Sequence, residues 1–443
     1  MTAIVVAAAV VGCASTRREE PPVATPAPAP APSTGAPPSG GPPPPAPSEA
    51  WRNTQSIRVG LAVYAKSALV AGSTATTLSV QGGPEIARQE PGATLQVARV
   101  GENAVEVFRQ GEEVPLWRGE TSDTLLLVPS EGGYSGWGGK WYRGTFRIFA
   151  SNPDGITIVN EVDFESYLRS VLPHEIGTPP ESDFEAVKAQ AVAARSYTLS
   201  YLGRRATMGF DLYASVEDQV YGGISRENGQ SDRALDMTRG EVLVSEGAPI
   251  RALYSSACGG RTSNVEDVWP WPWTAYLRSV RDADWSPSEG EAYCSASSNY
   301  RWREEWDADA FMASLRRYGP AEGGDAGVLT GDLVDVRVKS RGRSGRVGEL
   351  AVVTTRGEWT VRGDRTRWAI RRPGKDAILR SAFLKIGVLR DRKGRATQVI
   401  ATGAGNGHGI GLCQWGAMGM AKAGKSHRQI LGHYYRRAKV VIL

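Results

Sequence analysis

The sequence predicts an α+β fold: a β-rich N-terminal region, a helical insert, and a β-rich C-terminal part closed by terminal helices. Three observations carry this reading. Short alternating or apolar runs, separated by Gly-rich turns, fill residues 57–129. Two segments with helical spacing follow residue 162, and strand patterns return over residues 332–400 before a helical end. A chain of 443 residues is long enough for two or three domains, and it shows no internal repeat.

The elements can be taken in order. "MTAIVVAAAVVGC" is an apolar run too short to span a bilayer as a helix. Its end, Val10-Val11-Gly12-Cys13, is similar to a bacterial lipobox, although the positive n-region usual for such signals is missing. Residues 1–20 are therefore read as a lipoprotein signal with Cys13 as the lipidation site; an uncleaved apolar tail is the alternative. Lipid on Cys13 would anchor the protein to a bacterial membrane on its extracytoplasmic side. Residues 21–50 are Pro-rich and cannot bury enough apolar surface to fold. They form a stiff tether with a rise of about 3 Å per residue, reaching at most on the order of 100 Å.

Residues 51–144 make the β-rich N-terminal region, with "IRVGLAVYA" and "ATLQVARV" as strands. "GTFRIFASNPDGITIVN" reads as a hairpin turning at Asn152-Pro153-Asp154-Gly155. In "VDFESYLRSVL" the residues Phe164, Tyr167, Leu168, Val171 and Leu172 fall at helical spacing, with Asp163 as N-cap and Pro173 as the stop. "SDFEAVKAQAVAARSYTLSYL" is a second helix, with a capping box from Ser182 to Glu185 and an apolar stripe through Phe184, Val187, Ala191 and Ala194. At the end, "CQWGAMGMAKAG" stops at Gly424, and Ser426 caps "HRQILGHYYRRA".

Charge and cysteines narrow the function. A net charge of +5 is small for this length, and no nucleic-acid recognition motif appears, so nucleic acid is not an expected partner. Besides Cys13 there are Cys258, Cys294 and Cys413. In an oxidising compartment that permits one disulfide, and Cys258 with Cys294 is the favoured pair because they flank a loop-rich stretch. No CxxC occurs, and neither His174 nor His408 lies at ligand spacing from a cysteine, so no metal or other cofactor is expected.

Glu175 stands out among the titratable groups. It sits in "LPHEIGTPPESD", between the two helices, in a loop fixed by Pro173, Pro179 and Pro180. Leu172 and Ile176 flank it, and an apolar setting raises a carboxyl pKa. Such a glutamate can stay protonated near neutral pH and act as a general acid; an exposed loop carboxylate is the bland alternative. Lys188 and Arg195 share a face of the second helix two turns apart. They either meet an anion or snorkel to solvent. In "DQVYGG", Gln219 and Tyr221 would line one side of a strand and grip a sugar, or else form an ordinary core Tyr beside a solvated Gln.

The motifs together resemble the sporulation stage II protein D/amidase enhancer (SpoIID/LytB) family, which acts on bacterial peptidoglycan. "YLRSVLPHEI" with "EAVKAQAVAARSYTL" is similar to the paired-helix signature, and "DQVYGG" to the next motif. "RALYSSACGGRTSNVEDVW" resembles the Ser/Gly-rich loop; "SGRVGELAVV", "LRSAFLKI" and "GHGIGLCQWGAMGMAKAGKSHRQIL" resemble the C-terminal half. The resemblance covers residues 145–443, which it implies form one glycan-cleaving domain. It implies a lytic transglycosylase acting on denuded glycan strands, with Glu175 as general acid and then general base. One carboxylate suffices, because the sugar's own 6-hydroxyl attacks C1 and no second carboxylate has to activate water. Some members bind zinc through a His and cysteines near the Ser/Gly-rich loop. Here the matching stretch reads Tyr254-Ser255-Ser256, with no His, so the metal is not carried over. The other reading of the resemblance is a non-catalytic wall-binding lipoprotein that activates an amidase.

The run "GAGNGHGIGLCQWGAMGM" has glycine at every second place from Gly403 to Gly411. On an extended segment this leaves one face bare. That face is read as the floor or edge of the sugar groove, with His408 and Gln414 projecting toward substrate. Tight packing of the terminal helix is the alternative.

Overall fold

A computed structural model describes residues 49–151, 155–215, 217–284 and 291–443. Cys13, most of the Pro-rich tether and the hairpin tip Asn152-Pro153-Asp154 lie outside the described residues. The fold is mixed as the sequence predicts, with 26% of the described residues helical and 37% in strands.

The N-terminal region is two layers of sheet, antiparallel except where Leu212–Tyr213 pairs parallel with Ser56–Ala65. A seven-stranded sheet includes Ser56–Ala65, Gly155–Asp163, Thr145–Ser151 and Thr124–Pro129, and a six-stranded sheet includes Ser67–Gly72, Thr94–Val100 and Ala104–Arg109. Ser56–Ala65 pairs antiparallel with Gly155–Asp163, from Ser56↔Asp163 to Ala65↔Ile156, with two register shifts. This long-range pairing fuses the N-terminal region to the strand that leads into the first helix. One hydrophobic core accordingly runs from Ile57, Leu78 and Val97 through Ile158 to Leu168 and Val192.

Helix α1 spans Phe164–Glu175. The Asp163 carboxylate accepts the Ser166 N–H at 2.8 Å, as a helix N-cap should. Pro173 does not end it. The proline lies inside the last turn, and the helix stops only where Gly177 turns left-handed at φ 71°. A proline removes one N–H but leaves later residues free to resume helical bonding, and Ile176 does so by donating to the Leu172 carbonyl at 3.1 Å. Helix α2 spans Phe184–Ser200. The Ser182–Glu185 capping box does not form: the Ser182 hydroxyl donates to the Asp183 carboxylate, and Glu185 turns instead to Lys188 and His427. Every residue from Ala186 to Ser200 is buried, so α2 is a central helix and not an edge helix with one apolar stripe. Its alanines let α3 (Gly229–Met237) and the C-terminal helices approach closely.

The expected single domain over residues 145–443 contains a second core. Trp306, Phe311, Leu350, Trp359, Ile370 and Val399 form it, from α4 (Ala308–Tyr318), α5 (Arg365–Ala369) and two three-stranded sheets. The chain leaves the first core after Cys294 and rejoins it at Ile410. It then forms α6 (Gln414–Lys422) and α7 (His427–Tyr434), the latter with a complete Ser426–Gln429 capping box. Among the described residues no helix is long and apolar enough to cross a membrane.

Candidate active site

Glu175 ends α1 and is mostly withdrawn from solvent. Its Oε1 accepts the Val220 N–H at 3.0 Å, and the Tyr254 hydroxyl also bonds to the carboxylate. Burial raises its pKa from 4.5 to about 7, while those two donors pull the other way. Among the described residues no cation takes part. A carboxyl poised near neutrality can hold a proton and release it in the same site.

The positions of the two donors trace to Gln219. This side chain is fully buried. Its Oε1 accepts the hydroxyls of Tyr167 at 3.0 Å and Thr198 at 2.7 Å, and its Nε2 donates to Tyr254 Oη at 3.0 Å. With Gln219 so fixed, the next residue's N–H points at Glu175, and Tyr254 Oη is left to donate to the carboxylate. Gln219 therefore does not line a sugar groove. It orients the acid's partners from below. Tyr221 is buried as well and donates to Asn160 Oδ1 at 2.7 Å. The segment carrying both residues is a loop and not a strand, so the period-two reading does not apply to it.

The other predicted substrate contacts are also structural. Arg195 is 1% exposed, forks onto Glu165 at 2.8 and 2.9 Å, and donates to the carbonyls of Thr238 and Glu241. All of its hydrogen-bonding nitrogens are thus engaged inside the protein. Lys188 is buried and pairs with Glu185, whose carboxylate also receives the N–H and Nδ1 of His427 on α7. Gln414 points inward from the start of α6 and donates to the Glu175 carbonyl at 3.1 Å. It thereby holds the backbone of the acid.

The glycine run is not an extended strand with one bare face. Gly405, Gly407, Gly409 and Gly411 all have positive φ, from 69° to 105°. A Cβ on Gly407 would stand 2.7 Å from Ser255 Cβ, and one on Gly409 would stand 2.2 Å from the Arg346 guanidinium. Left-handed backbone and close packing against residues 253–259 and Arg346 explain the glycines without a ligand. His408 is folded into the same seam. Its Nδ1 accepts the Ile410 N–H at 3.1 Å, the ring also bonds to the Tyr254 backbone, and Trp269 packs on it at 4.9 Å. Burial lowers its pKa to about 4, so it is neutral at physiological pH. His408 is half-buried, and both ring nitrogens are engaged within the protein, by the Ile410 N–H and the Tyr254 backbone.

The Cys258–Cys294 disulfide is not formed. The two Sγ atoms stand 3.8 Å apart. Cys413, expected as the leftover thiol, lies in the same buried cluster, together with Asp282.

Sequence reasoning missed Tyr254 and Val220, the two groups that touch the carboxylate. Val220 acts through its backbone, which no residue type reveals. Tyr254 acts across 79 positions of separation, and only its place in the Ser/Gly-rich loop motif marks it. Two cavities lie elsewhere: one is lined by Arg301, Trp302 and Phe383, another by Trp269, Asp364 and Arg365.

Comparison with known proteins agrees with this architecture. Residues 152–244, which hold α1, α2 and Gln219, match the family described as Stage II sporulation protein, SpoIID. Residues 288–411, which hold the second core, match a domain of unknown function. An uncharacterized protein of Brachyspira hyodysenteriae is 29% identical over 340 residues, covering 76% of this chain and 78% of its own. The amidase enhancer of Bacillus subtilis is 28% identical over 306 residues, covering 60% of this chain but only 39% of the enhancer. Stage II sporulation protein D of Bacillus amyloliquefaciens is 28% identical over 298 residues, covering 63% of this chain and 74% of its own.

Proposed function

We propose, from the premise that this chain belongs to the SpoIID/LytB family, that it is a cell-wall protein that cleaves peptidoglycan glycan strands as a lytic transglycosylase. The observation that carries the reading is Glu175: one carboxyl, buried, held by an N–H and a hydroxyl, with a pKa of about 7 and no opposing cation. The protonated acid donates to the glycosidic oxygen as the C1–O bond breaks. The 6-hydroxyl oxygen of the same muramic acid bonds to C1, and its proton passes to the Glu175 carboxylate. The enzyme ends as it began, no water is consumed, and the new end is an anhydro sugar. A pKa near 7 suits both halves, since an acid of ordinary pKa would seldom be protonated at neutral pH.

The family's second reading, a non-catalytic protein that activates an amidase, is favoured only by the name of the amidase enhancer relative. Lipidation at Cys13 and an extracytoplasmic location belong to the proposal in either reading. Incubating the protein with peptide-stripped and with intact peptidoglycan, followed by mass analysis, tests it. Anhydro-muramyl ends from stripped glycan, lost in Glu175→Gln, are the expected result. Products with ordinary reducing ends, or full activity in Glu175→Gln, would overturn it.

A further inference from the structure

The cavity lined by Trp302 has a volume of about 820 Å³. It shares Arg301 and Phe383 with a smaller one of about 290 Å³, lined also by Gly260, Arg281 and Tyr300, so the two make one groove. Small-ligand sites occupy about 300–1,000 Å³. The groove runs from a three-stranded sheet of the second core to the Ser/Gly-rich loop that also carries Tyr254. Neither Glu175 nor Val220 lines it.

Its charge has one sign. Arg261, Arg281, Arg301, Arg303, Arg341 and Lys385 line it and are all exposed, and no Asp or Glu is among the described residues that line it. Of the six, only Arg303 has an ion-pair partner among the described residues, the exposed Glu305. Such a surface pair is weak. Arg301 donates to the carbonyls of Gly259 and Tyr300, and Arg341 to those of Gly345 and Leu384. Carbonyl bonds orient a guanidinium without cancelling its charge. The cavity beside Trp269 differs, since Glu266, Glu322 and Asp364 line it together with Arg362 and Arg365.

Strand register sets two of the cations. Thr402 pairs with Arg303 on one side and with Lys385 on the other. Directly opposed residues share a face. A hydroxyl therefore stands between two cations roughly 10 Å apart, which is two strand spacings. The floor is apolar and flat. Trp302 lies against Gly403, where a Cβ would stand 2.2 Å from its ring. Phe383 packs on the buried Arg346 guanidinium at 5.2 Å, and Arg301 covers the Tyr300 ring at 3.8 Å. Aromatic faces suit the apolar C–H face of a sugar ring, and cations with a hydroxyl suit a carboxylate.

We propose that this groove is a second glycan-binding subsite, in which Arg303, Thr402 and Lys385 receive the lactyl carboxylate of a muramic acid. The inference rests on the reading that peptidoglycan glycan is the substrate. In intact strands that carboxyl is amide-linked to the stem peptide, whereas stripped strands leave it free. The second core thereby takes part in choosing stripped strands.

The test uses the full chain carrying Glu175→Gln, so that binding is read without cleavage. Titration with peptide-stripped glycan should give an affinity that falls as salt rises. Adding Arg303→Glu with Lys385→Glu should weaken it at least about tenfold. Arg392→Glu with Lys393→Glu makes the same change of net charge at an exposed turn of the same sheet and should leave the affinity unchanged. Stripped glycan whose carboxyls have been converted to amides should bind the parent as weakly as native glycan binds the groove variant. N-acetylglucosamine oligomers, which have no carboxyl, should bind parent and groove variant alike. Absence of binding to stripped glycan, an equal loss in the turn variant, or tight binding of the amidated glycan would overturn the proposal. So would groove-dependent binding to phosphatidylglycerol vesicles with glycan binding intact, which would give the groove to a lipid headgroup. The two readings fail separately. Carboxylate-dependent binding by a wild-type protein that releases no anhydro ends refutes cleavage and keeps the groove. Normal binding and cleavage by the groove variant refutes the groove alone.

Discussion

Glu175→Gln should make the protein more stable, and only at neutral to alkaline pH. The folded pKa of about 7 lies above the ordinary 4.5 because burial disfavours the charged form. Between those two values the unfolded chain has already lost the proton that the folded protein still holds. Stability therefore falls as pH rises through this window, and the loss is complete above the folded pKa. The rise from 4.5 to about 7 corresponds to a ceiling of ~3 kcal/mol. Partial exposure of the side chain reduces this to about 1–3 kcal/mol. The amide of the variant carries no charge to desolvate. It still accepts the Val220 N–H, and Tyr254 Oη can accept from it in place of donating.

The assay is urea unfolding at a series of pH values from about 4.5 to 8.5, followed by hydrogen exchange of peptides from α1 and α2. At the acid end wild type and variant should unfold together. At the alkaline end the variant should be ahead by on the order of 1 M urea or less, taking typical urea slopes. A gap that is constant with pH, or a variant that is less stable throughout, would refute the burial argument. The acid role would then have lost its physical basis, whatever the activity measurement shows.

Other outcomes follow from the same geometry. Arg195→Met should cost about 3–5 kcal/mol in the same unfolding assay, since it leaves Glu165 and two carbonyls without their partner; a loss under about 1 kcal/mol would mean that the fork is not structural. Gly407→Val should destabilise by about 1–3 kcal/mol or more, because of its φ of 105° and its contact with Ser255, and a stable variant that has merely lost glycan binding would restore the ligand-floor reading. Tyr254→Phe removes a bond that lowers the Glu175 pKa, so the acid's titration should move to higher pH in the rate profile; a shift toward lower pH would contradict the assigned hydrogen bond.

The fold was legible where its causes are local. Asp163 caps α1 and Ser426 caps α7, because a capping residue and the N–H it serves lie within one turn. Glu175 was legible for a related reason: its apolar flanks sit beside it in the chain. The helical face shared by Lys188 and Arg195 was also read correctly, but not what it meets, since Glu165, Thr238 and Glu241 arrive from other elements. Alternating glycine misled because spacing alone cannot tell an extended strand from a run of left-handed turns. The cysteine cluster left no trace in spacing, as its members sit at 258, 282, 294 and 413.

The acid owes its pKa to its own surroundings. A buried carboxyl keeps a high pKa only if no positive charge compensates it. The helix beside Glu175's own carries Lys188 and Arg195. Both are committed elsewhere, Lys188 to Glu185 and Arg195 to Glu165. What reaches Glu175 is an N–H and a hydroxyl, and their pull is smaller than the effect of burial. Neither ion pair is among the causes that set the Glu175 pKa, which are burial, the Val220 N–H and the Tyr254 hydroxyl.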